Sequence, residues 1–205
     1  MDKKFIKEAF ITLSAAGLIT FGSIAAIANE HFGDDDIRSA AYVLRTLEQN
    51  NSTLPLLIKK AEETGNGIAV EVEVAEGPNG EYIEIELYRN KEIIQVTCDL
   101  ASGEILNVSQ PKVMSSLIAR ICEQYETLGQ NKISIEKAIR LAEIKTSGTA
   151  YGAEVENMDG WLCYKVYLLS DHKTLAVVVD PDNGRIISLK DNDLDDDDDR
   201  HKGDH

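Results

Sequence analysis

A constant offset of 81 residues superimposes the region around 57–109 on that around 138–190 without a gap, and an internal repeat limits the fold more than any single motif does. Ile58 falls on Ile139 and Ala61-Glu62 on Ala142-Glu143, inside helical patterns. Farther on, Ile83, Ile85 and Leu87 fall on Tyr164, Val166 and Leu168, and Ile94 and Val96 on Leu175 and Val177. Both copies keep the same inward parity, and a one-residue slip in a strand would have turned every core side chain outward. The copies also end alike, with Asp99 to Ile105 matching Asp180 to Ile186. Gly103 and Gly184 suit a turn that needs positive φ, and each Asp can accept from backbone amides there.

Each copy opens with a helical pattern. Ser134 is a predicted N-cap before Ile135, Ala138, Ile139 and Ala142, and Thr53 caps the first copy with Pro55 where a first turn accepts it. Three predicted strands follow the first helix, Ile68–Val74, Tyr82–Tyr88 and Ile93–Cys98, with glutamates alternating at 71, 73, 84 and 86. Gly77 to Gly80 and Arg89 to Lys91 serve as hairpin connections. The expected fold class is α+β: two repeats, each a helix packed on a three-stranded antiparallel sheet, plus a connecting helix.

The rest of the chain divides around these copies. Lys3, Lys4 and Lys7 precede an apolar stretch from Ala9 to Ile27 that ends in small residues, which predicts a signal peptide over residues 1–28. The alternative is a retained N-terminal anchor, because the stretch approaches the ~20 residues a spanning helix needs. Residues 29–52 hold an amphipathic helix with Ile37, Ala41, Leu44 and Leu47 on its apolar stripe and Asp34, Asp35 and Asp36 at its N-terminus. The first repeat spans 53–110, the connecting helix 111–130, the second repeat 131–190 and an acidic tail 191–205. A net charge of −15, one unit more negative without the leader, argues against nucleic acid, whose phosphates need Lys and Arg. It favours cationic partners, metal ions or simple solubility.

Three stretches of the second copy resemble PepSY domains, small modules found in propeptides of secreted metallopeptidases and in many exported bacterial proteins. They are Ile133 to Arg140, Trp161 to Tyr167 and Val177 to Ile186. The first copy is similar over a helix, Leu56 to Glu63, that lacks the usual opening, and the two copies together cover a little over half the chain. The resemblance implies a periplasmic or extracellular binding or inhibitory module, often associated with proteases, with no catalytic residues to carry over. In propeptides such a module sits beside a peptidase domain, and the sequence holds no His-Glu-x-x-His motif, so a propeptide in the strict sense is not the expectation.

Other candidate chemistry is thin. Ser134 and Lys137 have the spacing of a penicillin-recognising nucleophile, but the partner motifs are missing and Ser134 has a sufficient job as a cap. Asp180, Asp182 and Asn183 read as a hairpin turn rather than a calcium loop. Cys98 and Cys122 read as buried thiols, with a bridge between them as the alternative in an oxidising compartment. The tail is too polar to bury a core and should stay disordered. Within it Asp195, Asp196, Asp197, Asp198, Asp199, His201 and His205 could bind a divalent metal weakly, against a plain reading as a solubility tail.

The outward parity separates the copies. Tyr82, Glu84, Glu86 and Tyr88 read as a wet acidic face, whereas Cys163, Lys165, Tyr167 and Leu169, with Trp161 before them, are too apolar to face water without cause. That face either packs internally or docks a partner through Trp161, Lys165 and Tyr167. The leading expectation is a non-enzymatic extracytoplasmic binding or inhibitory module, with a peptidase as a candidate protein partner and no cofactor. The alternative is an envelope metal-binding or metal-sensing protein acting through the Asp/His tail.

Overall fold

Apolar spacing and capping define three helices in the computed structural model, which describes residues 34–77, 80–109, 125–128, 130, 132–158 and 160–191. Helix α1 spans Asp34–Gln49, α2 Leu54–Gly65 and α3 Ile135–Thr146. Thr53 caps α2, its side chain accepting from the Leu56 amide, and Pro55 sits in the first turn where its missing N–H leaves no intrahelical bond unmade. Ser134 caps α3 in the same way, accepting from the Lys137 amide at 3.2 Å. Both helices end at a residue in the left-handed region, Asn66 and Ser147.

Eight strands follow the hairpin signals. They are β1 Ile68–Gly77, β2 Gly80–Arg89, β3 Glu92–Asp99, β4 Ile105–Val108, β5 Thr149–Met158, β6 Trp161–Ser170, β7 Lys173–Val179 and β8 Ile186–Asp191. Asn90 and Lys91, and again Asp171 and His172, have positive φ at both turn positions, the geometry whose twist matches a two-residue hairpin. The parity expected from the repeat holds: Ile83, Ile85, Leu87, Tyr164, Val166 and Leu168 are all fully buried.

The sheet departs from expectation in extent. A fourth strand follows each trio, and all eight form one antiparallel sheet in the order β4-β3-β2-β1-β5-β6-β7-β8. The chain turns back after β3 because Gly103 N–H donates to the Asp99 carbonyl and Asp99 N–H to the Glu104 carbonyl, both at 2.8 Å. After β7 the same pair of bonds joins Gly184 to Asp180 (2.8 Å) and Asp180 to Arg185 (2.9 Å). A short ladder, Glu71 opposite Glu154 and Val72 opposite Ala153, joins β1 to β5 and makes the sheet continuous.

Helices α2 and α3 pack against each other and on the sheet, and α1 packs against β5 and β6. Side chains of all three helices and the sheet belong to one contiguous apolar cluster. The buried stripe of α1 is Ala40, Val43 and Leu47, rotated from the expected one, with Ile37, Ala41 and Leu44 at its margins and Tyr42 exposed. At the start of β1 a bulge between Ala69 and Glu71 frees a backbone amide, and the Glu62 carboxylate of α2 accepts from Ala69 N–H at 2.9 Å. The bulge in β5 between Ala150 and Gly152 is served likewise, Glu143 accepting from Ala150 N–H at 3.1 Å.

The leader over 1–28, most of the connecting helix over 111–130 and the tail beyond Asp191 lie outside the described residues. Tyr125 and Leu128 of the connecting segment are buried in the core cluster. Among the described residues, no helix is long and apolar enough to cross a membrane.

Candidate functional site

The sheet face opposite the helices carries most of the molecule's unusual chemistry. Strand alternation turns Val72, Ile83, Ile85 and Leu87 into the core, so Glu71, Glu73, Glu84 and Glu86 point the other way. The register sets Glu71 opposite Glu86 and Glu73 opposite Glu84, and the β1–β5 ladder adds Glu154 beside Glu71. Carboxylates directly opposite one another repel, and here they are also shielded from water.

The expected wet acidic face is therefore not wet. Glu84 is only 5% exposed, Tyr88 is buried against Tyr125, and Tyr82 and Glu86 are half-buried. Burial first, then the charges of Glu86, Glu73, Glu154 and Glu84, push the Glu71 carboxyl up to about 9. Burial and then Glu84, Glu86 and Glu154 push Glu73 up to about 7. The Tyr82 phenol is raised too, by burial and then by Glu84 and Glu73.

The second half of the same face differs in kind. Glu154 lies opposite Lys165, and Glu156 opposite Cys163. The Tyr167 hydroxyl donates to Glu154 Oε1, Lys165 Nζ lies 5.1 Å from the centre of the Tyr167 ring, and the Tyr151 ring lies 6.3 Å from it. Cys163 is fully buried, its thiol pushed up to about 12 by burial and then by Glu156 and Glu154. Val178 and Ala176, opposite Lys165 and Tyr167 on β7, are buried as well. Lys165 and Tyr167 are thus half-buried and engaged with neighbours.

Trp161 sits apart from them, at the β5–β6 hairpin. It is 36% exposed and pairs across the hairpin with the exposed Met158. A cleft of about 250 Å³ lies beside it, lined by Thr127, Leu128, Lys132, Leu162 and Pro181 with Gly160 and Trp161. The three residues expected to bind a partner share one strand and one parity without forming one exposed patch.

The remaining expectations fall out plainly. Ser134 caps a helix, and Asp180 organises a turn by accepting from Asp182 N–H at 2.8 Å and Asn183 Nδ2 at 2.9 Å. Cys98 and Cys163 are free and buried, while Cys122 lies outside the described residues. So do Asp195 to Asp199, His201 and His205. Among the described residues, no group of three or more His, Cys, Asp or Glu is arranged to hold a metal ion. The glutamate ladder was missed at the sequence level, although closing the hairpin between residues 78 and 79 already sets Glu71 opposite Glu86 and Glu73 opposite Glu84.

Residues 132–190 match the PepSY family, described as the peptidase propeptide and YPEB domain. Such domains are in general extracytoplasmic, non-catalytic modules linked to protease regulation. Among solved structures, a Clostridium difficile 630 protein assigned as a lipoprotein is similar at 13% identity and a TM-score of 0.42, covering 65% of this chain and 88% of that one. The YpeB C-terminal domain of Bacillus megaterium is similar at 12% identity and a TM-score of 0.26, covering 76% of this chain and 64% of that one. No curated protein matches the chain.

Proposed function

We propose that the chain is a non-enzymatic extracytoplasmic protein-binding module, made of two copies of one PepSY-like unit, that modulates a secreted or envelope protease. The observation that carries this reading is the match of residues 132–190 to a family linked to protease regulation. Duplication is supported by contacts that recur at the repeat's own spacing. Glu62 and Glu143 serve the two strand bulges, the turns at Gly103 and Gly184 share their bonds, and β4 and β8 return to the sheet alike.

A binding role fits the described side chains better than catalysis. Ser134 is a cap, and a thiol pushed up to about 12 leaves Cys163 protonated and inert. Trp161, with its flanking cleft, is the anchor we assign to partner contact, and Lys165 and Tyr167 support the strand behind it. Residues 1–28 direct export in this proposal.

Crosslinking the exported protein in its own envelope fraction, with a tail-deleted version alongside and chelator in half of each sample, tests it. The expected result is one envelope protein, a peptidase or its substrate, recovered from both versions regardless of chelator, and lost with Trp161→Ala. Recovery of nothing overturns the proposal. Recovery that vanishes with the tail or the metal points instead to metal handling through Asp195 to Asp199, His201 and His205.

A further inference from the structure

We infer that the seam between β1 and β5 is a proton-sensitive latch: a protonated Glu71 keeps the two strands paired, and its ionisation parts them while the helices still hold the two halves together. The seam is the narrowest ladder in the sheet, with two residue pairs, Glu71 with Glu154 and Val72 with Ala153. Bulges interrupt both of its strands nearby, between Ala69 and Glu71 in β1 and between Ala150 and Gly152 in β5. One of the two pairs therefore sets a carboxyl against a carboxyl, and a single further pair resists their repulsion.

Among the described residues the charged groups that act on Glu71 are all acidic. Glu86 lies opposite it on β2 with Glu84 on the diagonal, Glu73 follows along β1, and Glu154 lies opposite on β5. Lys165 stands one strand farther away on β6, opposite Glu154, which also accepts from the Tyr167 hydroxyl. On the helix side, α2 brings Glu62 to the start of β1, where it accepts from Ala69 N–H. With the seam closed, Glu71 gives up its proton only at about 9. Water entering a parted seam, and distance from Glu154, lower that value, so ionisation and parting favour each other.

The second half shows that the fold does not impose this arrangement. At the 81-residue offset Glu154 stands for Glu73, while Gly152, Lys165 and Tyr167 stand for Glu71, Glu84 and Glu86. Glu154 thus has a cation and a hydroxyl donor across β6, where Glu73 has a second acid across β2. The uncompensated acids belong to the first half, and Glu71 carries their repulsion to the seam. The latch is closed in acid and loosens as pH rises through neutrality toward about 9. Packing of α2 on α3 and the shared apolar cluster keep the halves joined when it opens.

The latch works within one chain and holds whether or not the binding-module reading does. Hydrogen exchange of the full-length, 15N-labelled chain tests it, with each amide rate divided by that of an unstructured peptide at the same pH. Protection of the amides bonded across the seam, among residues 71, 72, 153 and 154, is expected to fall about tenfold or more between pH 6 and pH 8. Protection of Val166 and Val177, paired in the β6–β7 ladder, should fall less. Glu71→Gln, which keeps the shape and cannot ionise, should raise seam protection at pH 8 and remove most of its pH dependence.

Seam protection unchanged or raised by pH, a fall matched at Val166 and Val177, or a pH dependence that survives Glu71→Gln would each overturn the inference.

Discussion

Glu71 faces Glu86 and Glu154 across its two neighbouring strands and Glu73 along its own, all half-buried, where water screens them less than on an open surface. Its raised folded value, about 9, and that of Glu73, about 7, mean that folding favours their protonated forms over the unfolded chain's, whose carboxyls titrate near the ordinary value of 4.5. Their contribution is therefore fully present below that ordinary value and is lost as pH rises through about 7 and then about 9. The urea midpoint should fall between pH 5 and pH 9, and Glu71→Gln should raise stability at pH 8 by on the order of 1–3 kcal/mol while changing it little at pH 4. A midpoint that rises over that range would show these carboxylates to be solvated. Gly184 is held as firmly by geometry: φ is +76° and an added Cβ would lie 2.6 Å from Leu141 Cδ1. Gly184→Ala should cost about 1–2 kcal/mol in denaturant unfolding. Gly160→Ala, also at positive φ but with nothing within 4 Å, should cost less.

Elements show where local chemistry suffices. Ser134→Ala removes the acceptor for the Lys137 amide and should cost about 1 kcal/mol in thermal or urea unfolding. The caps, the helices behind them and the first three hairpin strands were legible because each has its own signal: a hydroxyl before an apolar stripe, alternation, and turn residues that tolerate positive φ; the second three were legible through the 81-residue offset. Strand β4 was not, because four residues with a bulge at Leu106 show no alternation, and its pairing depends on the turn at Gly103 rather than on its composition. The stripe of α1 was misplaced because its apolar residues surround more than one face, and contact with β5 and β6 selects Ala40, Val43 and Leu47. The site was legible in part. Outward parity was correct for Glu84, Glu86, Lys165 and Tyr167, but whether that face was wet depended on packing that no strand encodes alone.

For the whole molecule the seam matters most. Only two residue pairs link β1 to β5, yet α2 and α3 touch above them and one apolar cluster runs beneath both halves. Shared burial on that scale predicts a single unfolding transition, with calorimetric and van't Hoff enthalpies equal. Two resolved transitions would show the halves to be separate cooperative units. Every other ladder in the sheet joins strands adjacent in sequence, whereas the seam brings residue 71 to residue 154. Local hairpins close quickly and distant pairings slowly. As the chain emerges during synthesis, β1 therefore presents a bare inner edge until β5 arrives, and that interval is when the nascent protein most needs a chaperone's shelter.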